Sequence, residues 1–103
     1  MSYPVEIKAE AHQDTLAAYL YYEEQQLGLG ERFLEALNET YLSIAEHPTH
    51  YGYIAEDPTN VFRDLKLKKF PYVVVYEMMI DRVIVYAVFH AHRKPESKMP
   101  FHE

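Results

Sequence analysis

The sequence predicts a small α+β domain of order βααβββ, in which a helical hairpin packs on one face of a mostly antiparallel four-stranded sheet. Three observations carry this expectation. Residues 9–46 are rich in strong helix formers and are interrupted once, by "LGLGE". Residues 72–90 are dominated by Val, Ile and Tyr. Between these blocks, "HPTHYGYIAEDPTN" carries two prolines and a glycine and reads as a loop. At 103 residues the chain is expected to be one domain, 1–103, of a size that buries roughly two-thirds of its unfolded surface.

"YPVEIK" alternates, with Tyr3, Val5 and Ile7 on one face, and predicts a short first strand. Ala9 to Gln26 predicts a helix whose stripe is expected to be Leu16, Tyr19, Leu20 and Leu27, which fall at helical spacing. The glycines that follow end it, because glycine accepts the left-handed conformation found at helix ends. A second helix is expected from Glu31 to Glu46, with Phe33, Leu37, Tyr41, Ile44 and Ala45 on one stripe. His47-Pro48 stops it, since the residue before proline avoids the α region. So short a link between the helices predicts an antiparallel hairpin.

Three strands follow. In "VFRDLKLKKF" Leu65 and Leu67 share one face, and Lys66 and Lys68 the other. "YVVVYEMM" and "RVIVYAVFH" are separated by Ile80-Asp81, short enough for a hairpin. Both faces of these two strands are apolar: Tyr72, Val74 and Tyr76 against Val73 and Val75, then Ile84, Tyr86 and Val88 against Val83, Val85 and Phe89. Two helices cover one face of such a sheet. The other either receives another chain or is covered by loop 47–60 through Tyr51, Tyr53 and Ile54.

The net charge of −6 is divided unevenly. Residues 1–60 hold eleven acids against Lys8 and Arg32, a balance of −9, whereas residues 61–103 hold eight bases against five acids, a balance of +3. An anionic partner would therefore meet the second part. The acidic total argues that direct nucleic-acid binding is weak, because such binding rests on many phosphate contacts. No run of eighteen apolar residues occurs and "MSYPVEIKAE" lacks the pattern of a signal peptide, so a soluble chain without a membrane partner is expected. The absence of cysteine fits a reducing, cytoplasmic setting.

Candidate site residues cluster at the strand ends. His90 and His92 lie two apart and could share a face, but a zinc site needs a third ligand from His12, His50 or Glu77. The expectation is hydrogen-bonding histidines with no metal and no cofactor. Arg63, Lys66, Lys68 and Lys69, followed by Arg93 and Lys94, form a basic edge, with Tyr72, Tyr76 and Tyr86 as possible stacking surfaces. Such an edge either binds a partner or is an ordinary lysine-guarded strand face. No Gly-rich phosphate loop, His-Glu-x-x-His helix or nucleophile elbow is present.

"YYEEQQLGLGERFLEAL", "AEHPTHYG" and "RDLKLKKFPYVVVYEMMIDRVIVYAVFHAHRKPE" together resemble the ParE/RelE superfamily of bacterial toxins, in its ParE-like, plasmid-stabilisation branch, over about residues 3–96. The resemblance implies the toxin of a type II toxin–antitoxin pair, with the RelE/ParE-like fold and a cognate antitoxin as partner. For the ParE-like branch it implies inhibition of DNA gyrase by binding, without enzymatic activity. For the RelE-like branch it implies an endoribonuclease that cuts mRNA, for which Lys66, Lys68, His90, His92 and Arg93 are the candidates. The sequence departs from that second pattern: a position that often carries a RelE arginine aligns with Val73, and the tail offers Phe101 where a tyrosine is expected. A phenyl ring transfers no proton. Partner-binding candidates are Arg63, Lys66, Lys68, Tyr72, Tyr76, Tyr86, His90, His92 and Arg93. A non-toxic homodimer that buries the second sheet face is a further alternative. Two histidines on a binding rim would add pH sensitivity near their ordinary pKa of about 6.5.

Overall fold

Among the described residues, six elements form in the expected order: β1 (Val5–Ile7), α1 (Ala9–Gln25), α2 (Leu29–Glu46), β2 (Phe62–Lys66), β3 (Tyr72–Met78) and β4 (Val83–His90). The computed structural model describes residues 2–92. The strands lie in the order β1-β4-β3-β2. β2, β3 and β4 form an antiparallel meander, and β1 pairs parallel to β4 with Val5 opposite Val83 and Ile7 opposite Val85. The parallel pair follows from the connection, because β1 and β4 are separated by both helices and the rest of the sheet.

The main core lies between the helices and one sheet face. Phe33, Leu37 and Ile44 of α2 meet Val74, Tyr76, Val83, Val85 and Val88, with Ala11 and Ala18 of α1. The stripe expected for α2 is thus the one observed, with Tyr41 half-buried.

The stripe expected for α1 is not observed. Leu16, Leu20 and Leu27 are 59%, 52% and 89% exposed, and the buried residues are Ala11, Asp14 and Ala18. The cause lies in the sheet. β1 ends at Ile7, so the outer edge of β4 beyond Val85 has no strand beside it. α1 covers that edge, and the Val88 N–H donates to Asp14 Oδ2 at 3.0 Å in a buried setting. Alanines permit the close approach that leucines would block.

The helices are joined by a turn held from within. The Glu23 carboxylate accepts the N–H groups of Gly28 (3.0 Å) and Gly30 (2.9 Å). Gly28 has φ +89°, and a Cβ on Gly30 would stand 2.8 Å from the Tyr19 ring and from Glu23 Oε1. This early turn starts α2 at Leu29, two residues before the expected Glu31.

The second sheet face is closed. Val73, Val75, Ala87 and Phe89 are buried in one cluster with Ile54, which loop 47–60 places against them, and Phe62 packs at its border. The bare apolar face allowed for by the sequence is therefore corrected in favour of loop cover. Of the three residues expected there only Ile54 serves, since Tyr51 packs on the helix-side core and Tyr53 is half exposed. A bulge also alters the expected faces: β3 passes from Val75 opposite Ala87 to Tyr76 opposite Val85, leaving Tyr86 extra. One additional residue inverts the alternation beyond it, so Val88 joins Val83 and Val85 on the helix side while Phe89 turns away.

The loop itself is rigidly bonded. Buried Asp57 accepts the N–H groups of Thr59, Val61 and Phe62 and the Thr59 hydroxyl, and these donors hold its carboxyl well below the usual range against the opposing effect of burial.

Candidate functional site: the basic end of the sheet

The register of the meander brings several of the expected residues to one end of the sheet. Tyr72 pairs with His90 across β3 and β4, and Lys66 pairs with Val73 across β2 and β3. Lys66 is exposed at the end of β2, and Lys68 and Lys69 are exposed in the link that returns to β3. Lys69 has φ +68°, a left-handed conformation uncommon outside glycine, which tightens this link.

A chain of rings crosses the same end. Tyr21 and Tyr22 stand 5.3 Å apart between centroids, Tyr22 and Tyr72 6.0 Å, Tyr72 and His90 5.4 Å, and His90 and His92 5.5 Å. The His92 N–H donates to His90 Nδ1 at 3.1 Å, so the proton of a neutral His90 ring sits on Nε2. Two clefts flank these rings. One, of about 510 Å³, lies between α1 and the strand ends and is lined by Asp14, Tyr21, Tyr22, Tyr72 and His90 among others. The other, of about 690 Å³, lies between α2 and the β2–β3 link and joins Arg32, Lys68 and Lys69 with Glu35 and Glu39.

Other expected members lie elsewhere. Arg63 holds loop 47–60: its guanidinium donates to Tyr51 O at 2.5 Å and to Tyr53 Oη at 2.8 Å and sits 4.0 Å from the Tyr53 ring centre. Tyr76 is fully buried against the helices and its hydroxyl donates to Pro48 O at 2.7 Å, so it offers no contact surface. Burial also holds its phenol well above the ordinary value. Tyr86 lies on the loop-covered side, where its ring meets Phe62 at 5.4 Å and its hydroxyl donates to Glu77 Oε1 at 2.7 Å. Burial, and then the Glu77 carboxylate, push its phenol up to about 12. Arg93 falls outside the described residues.

Sequence reasoning did not place Arg32, Tyr21 or Tyr22 here. Their signal was weak, because the pair Tyr21-Tyr22 sits in a helix whose buried face was assigned to its leucines. As assembled, one cleft at this end of the sheet carries Arg32, Lys68 and Lys69 with Glu35 and Glu39, the neighbouring cleft carries Tyr21, Tyr72 and His90, and Tyr22 lines both. Such a surface fits an acidic or phosphate-bearing partner through charge and its rings through stacking. Among the described residues no group of three His, Asp or Glu gathers for a metal.

A helical hairpin packed on one face of a four-stranded mixed sheet defines the class of this chain as α+β. The chain belongs to the family described as ParE toxin of type II toxin-antitoxin system, parDE, whose model matches residues 5–95. Among solved structures, the chromosomal ParDE toxin–antitoxin system from P. aeruginosa is similar, with a TM-score of 0.74 at 14% identity over 86% of this chain and 96% of that one. The RelBE2 toxin–antitoxin complex from Mycobacterium tuberculosis gives 0.62 at 17% identity over 87% and 99%. A mutant of the E. coli toxin RelE in the free state gives 0.57 at 18% identity over 88% and 85%. At such identities these likenesses establish the fold. No curated protein matches the chain.

Proposed function

We propose that this chain is a toxin that inhibits DNA gyrase by binding it through the basic end of the sheet, and that a cognate antitoxin silences it. The observation that carries this reading is Val73. At a position where RelE-like nucleases often carry an arginine, this chain has a valine buried in the cluster with Ile54 and Phe89. An arginine cannot be presented to RNA from there, whereas Lys66, Lys68, Lys69, Tyr72 and His90 remain at the surface or half-exposed as a binding rim.

The nuclease reading keeps support from the neighbouring rings of His90 and His92 at the same end of the sheet and from the likeness to RelE structures. The homodimer reading loses its motive, since the sheet face it would bury is already covered. Induction of the chain in bacterial cells separates the first two. Growth arrest with mRNA left intact, relieved by co-expression of the antitoxin from the adjoining gene, agrees with gyrase binding. Cleavage of mRNA would transfer the assignment to the nuclease.

A further inference from the structure

The cleft between α1 and the ends of β3 and β4 differs in chemistry from its basic neighbour. Asp14, Ala17, Ala18 and Tyr21 fall at helical spacing and form one wall, and Tyr72 and His90 belong to the other. The two alanines recess the first wall between a carboxylate and a phenol. A volume of about 510 Å³ suits a small molecule.

Two features set the sign of its ligand. Asp14 is 7% exposed, and it is fixed at the cleft because its Oδ2 accepts the Val88 N–H on the stretch of β4 that β1 stops short of pairing. The rings of Tyr21, Tyr22 and Tyr72 line the same cleft, and their planes meet in turn at 73° and 63°, so successive faces are angled to one another and not stacked. The faces of such rings carry the negative part of a quadrupole and attract a cation. Among the described residues no lysine or arginine lines this cleft. The net charge of −6 also concentrates cations around the chain. An anion would face the Asp14 carboxylate, and a neutral ring would leave that charge unused.

We propose that this cleft binds a small organic cation whose head is a quaternary ammonium. Such a head donates no hydrogen bond, so it calls on charge and ring faces and leaves the bond from Val88 to Asp14 intact. This goes beyond gyrase binding and does not depend on it.

Choline is the probe, titrated into the full chain at constant ionic strength and followed by NMR of the backbone amides. Saturable shifts at Ala17, Ala18 and His90 are expected, with a Kd on the order of 1 mM. The neutral isostere of choline, with a tert-butyl group in place of the trimethylammonium head, should bind about tenfold more weakly. Tyr21→Leu should melt like the parent, because Tyr21 is 55% exposed, yet lose about fivefold in affinity. Asp14→Asn keeps an acceptor for Val88 and removes the charge, so it should weaken choline and leave the isostere unchanged. Equal binding of choline and its isostere, or undiminished binding of choline by the folded Tyr21→Leu chain, would overturn the proposal.

Discussion

Replacing Ile54 by alanine should open the second face of the sheet. Ile54 is 3% exposed and is the loop residue that joins Val73, Val75, Ala87 and Phe89. The substitution removes three side-chain carbons, and at about 0.8 kcal/mol each their transfer alone is worth about 2.4 kcal/mol. A residual cavity adds to this, and buried isoleucine truncations span about 2–5 kcal/mol. Because the loop is pinned at Asp57 and Arg63, it cannot simply collapse into the gap, and we expect a loss of about 3 kcal/mol. In a chain of 103 residues that lowers the Tm by roughly 15 °C. Urea and thermal denaturation measure the loss, and binding of a hydrophobic dye reports the newly exposed valines. A loss below about 1 kcal/mol, with no added dye fluorescence, would show that Ile54 does not close this face.

Four further outcomes are expected. Gly30→Ala should destabilise by about 1–3 kcal/mol, because the new Cβ meets the Tyr19 ring and Glu23 Oε1 at 2.8 Å; a melting curve matching the parent would contradict the close approach. Tyr76→Phe should cost about 1 kcal/mol, as Pro48 O loses its buried donor, measured by urea denaturation. The Asp57 carboxyl is held below its unfolded value, so its contribution is complete above that value and declines as the pH falls below about 4; the acid limb of the stability profile should flatten in Asp57→Asn. Tyr41 and Tyr86 are both raised to about 12, so their neutral phenols contribute below pH 10 and lose that contribution as the pH rises towards 12. Phenolate absorbance at pH 11 should accordingly fall short of the value for ten free tyrosines.

Much of the fold is legible in the sequence because its local signals agree with one another. The glycine interruption, the stripe of α2 and the alternating strands all point to the same hairpin-on-sheet arrangement. α1 was misread for a reason that composition cannot reveal: its neighbour is a strand edge needing a carboxylate and small residues, so Asp14, Ala11 and Ala18 displaced the leucines. The bulge at Tyr86 was equally hidden, since no glycine marks it, and it moved Val88 and Phe89 to the faces opposite those expected. At the candidate site, Lys66, Lys68, Tyr72, His90 and His92 do meet at one end of the sheet. Arg63 and Tyr76 were indistinguishable from them by residue type, yet long-range bonds to Tyr51 and Pro48 commit both to the loop.

The central claim is tested most directly by supercoiling of relaxed plasmid with purified gyrase, titrated with the native chain and with a Lys66→Glu, Lys68→Glu, Lys69→Glu variant. The native chain should block supercoiling and the charge-reversed variant should leave it intact while remaining folded. Unimpeded supercoiling at saturating native chain would contradict the account.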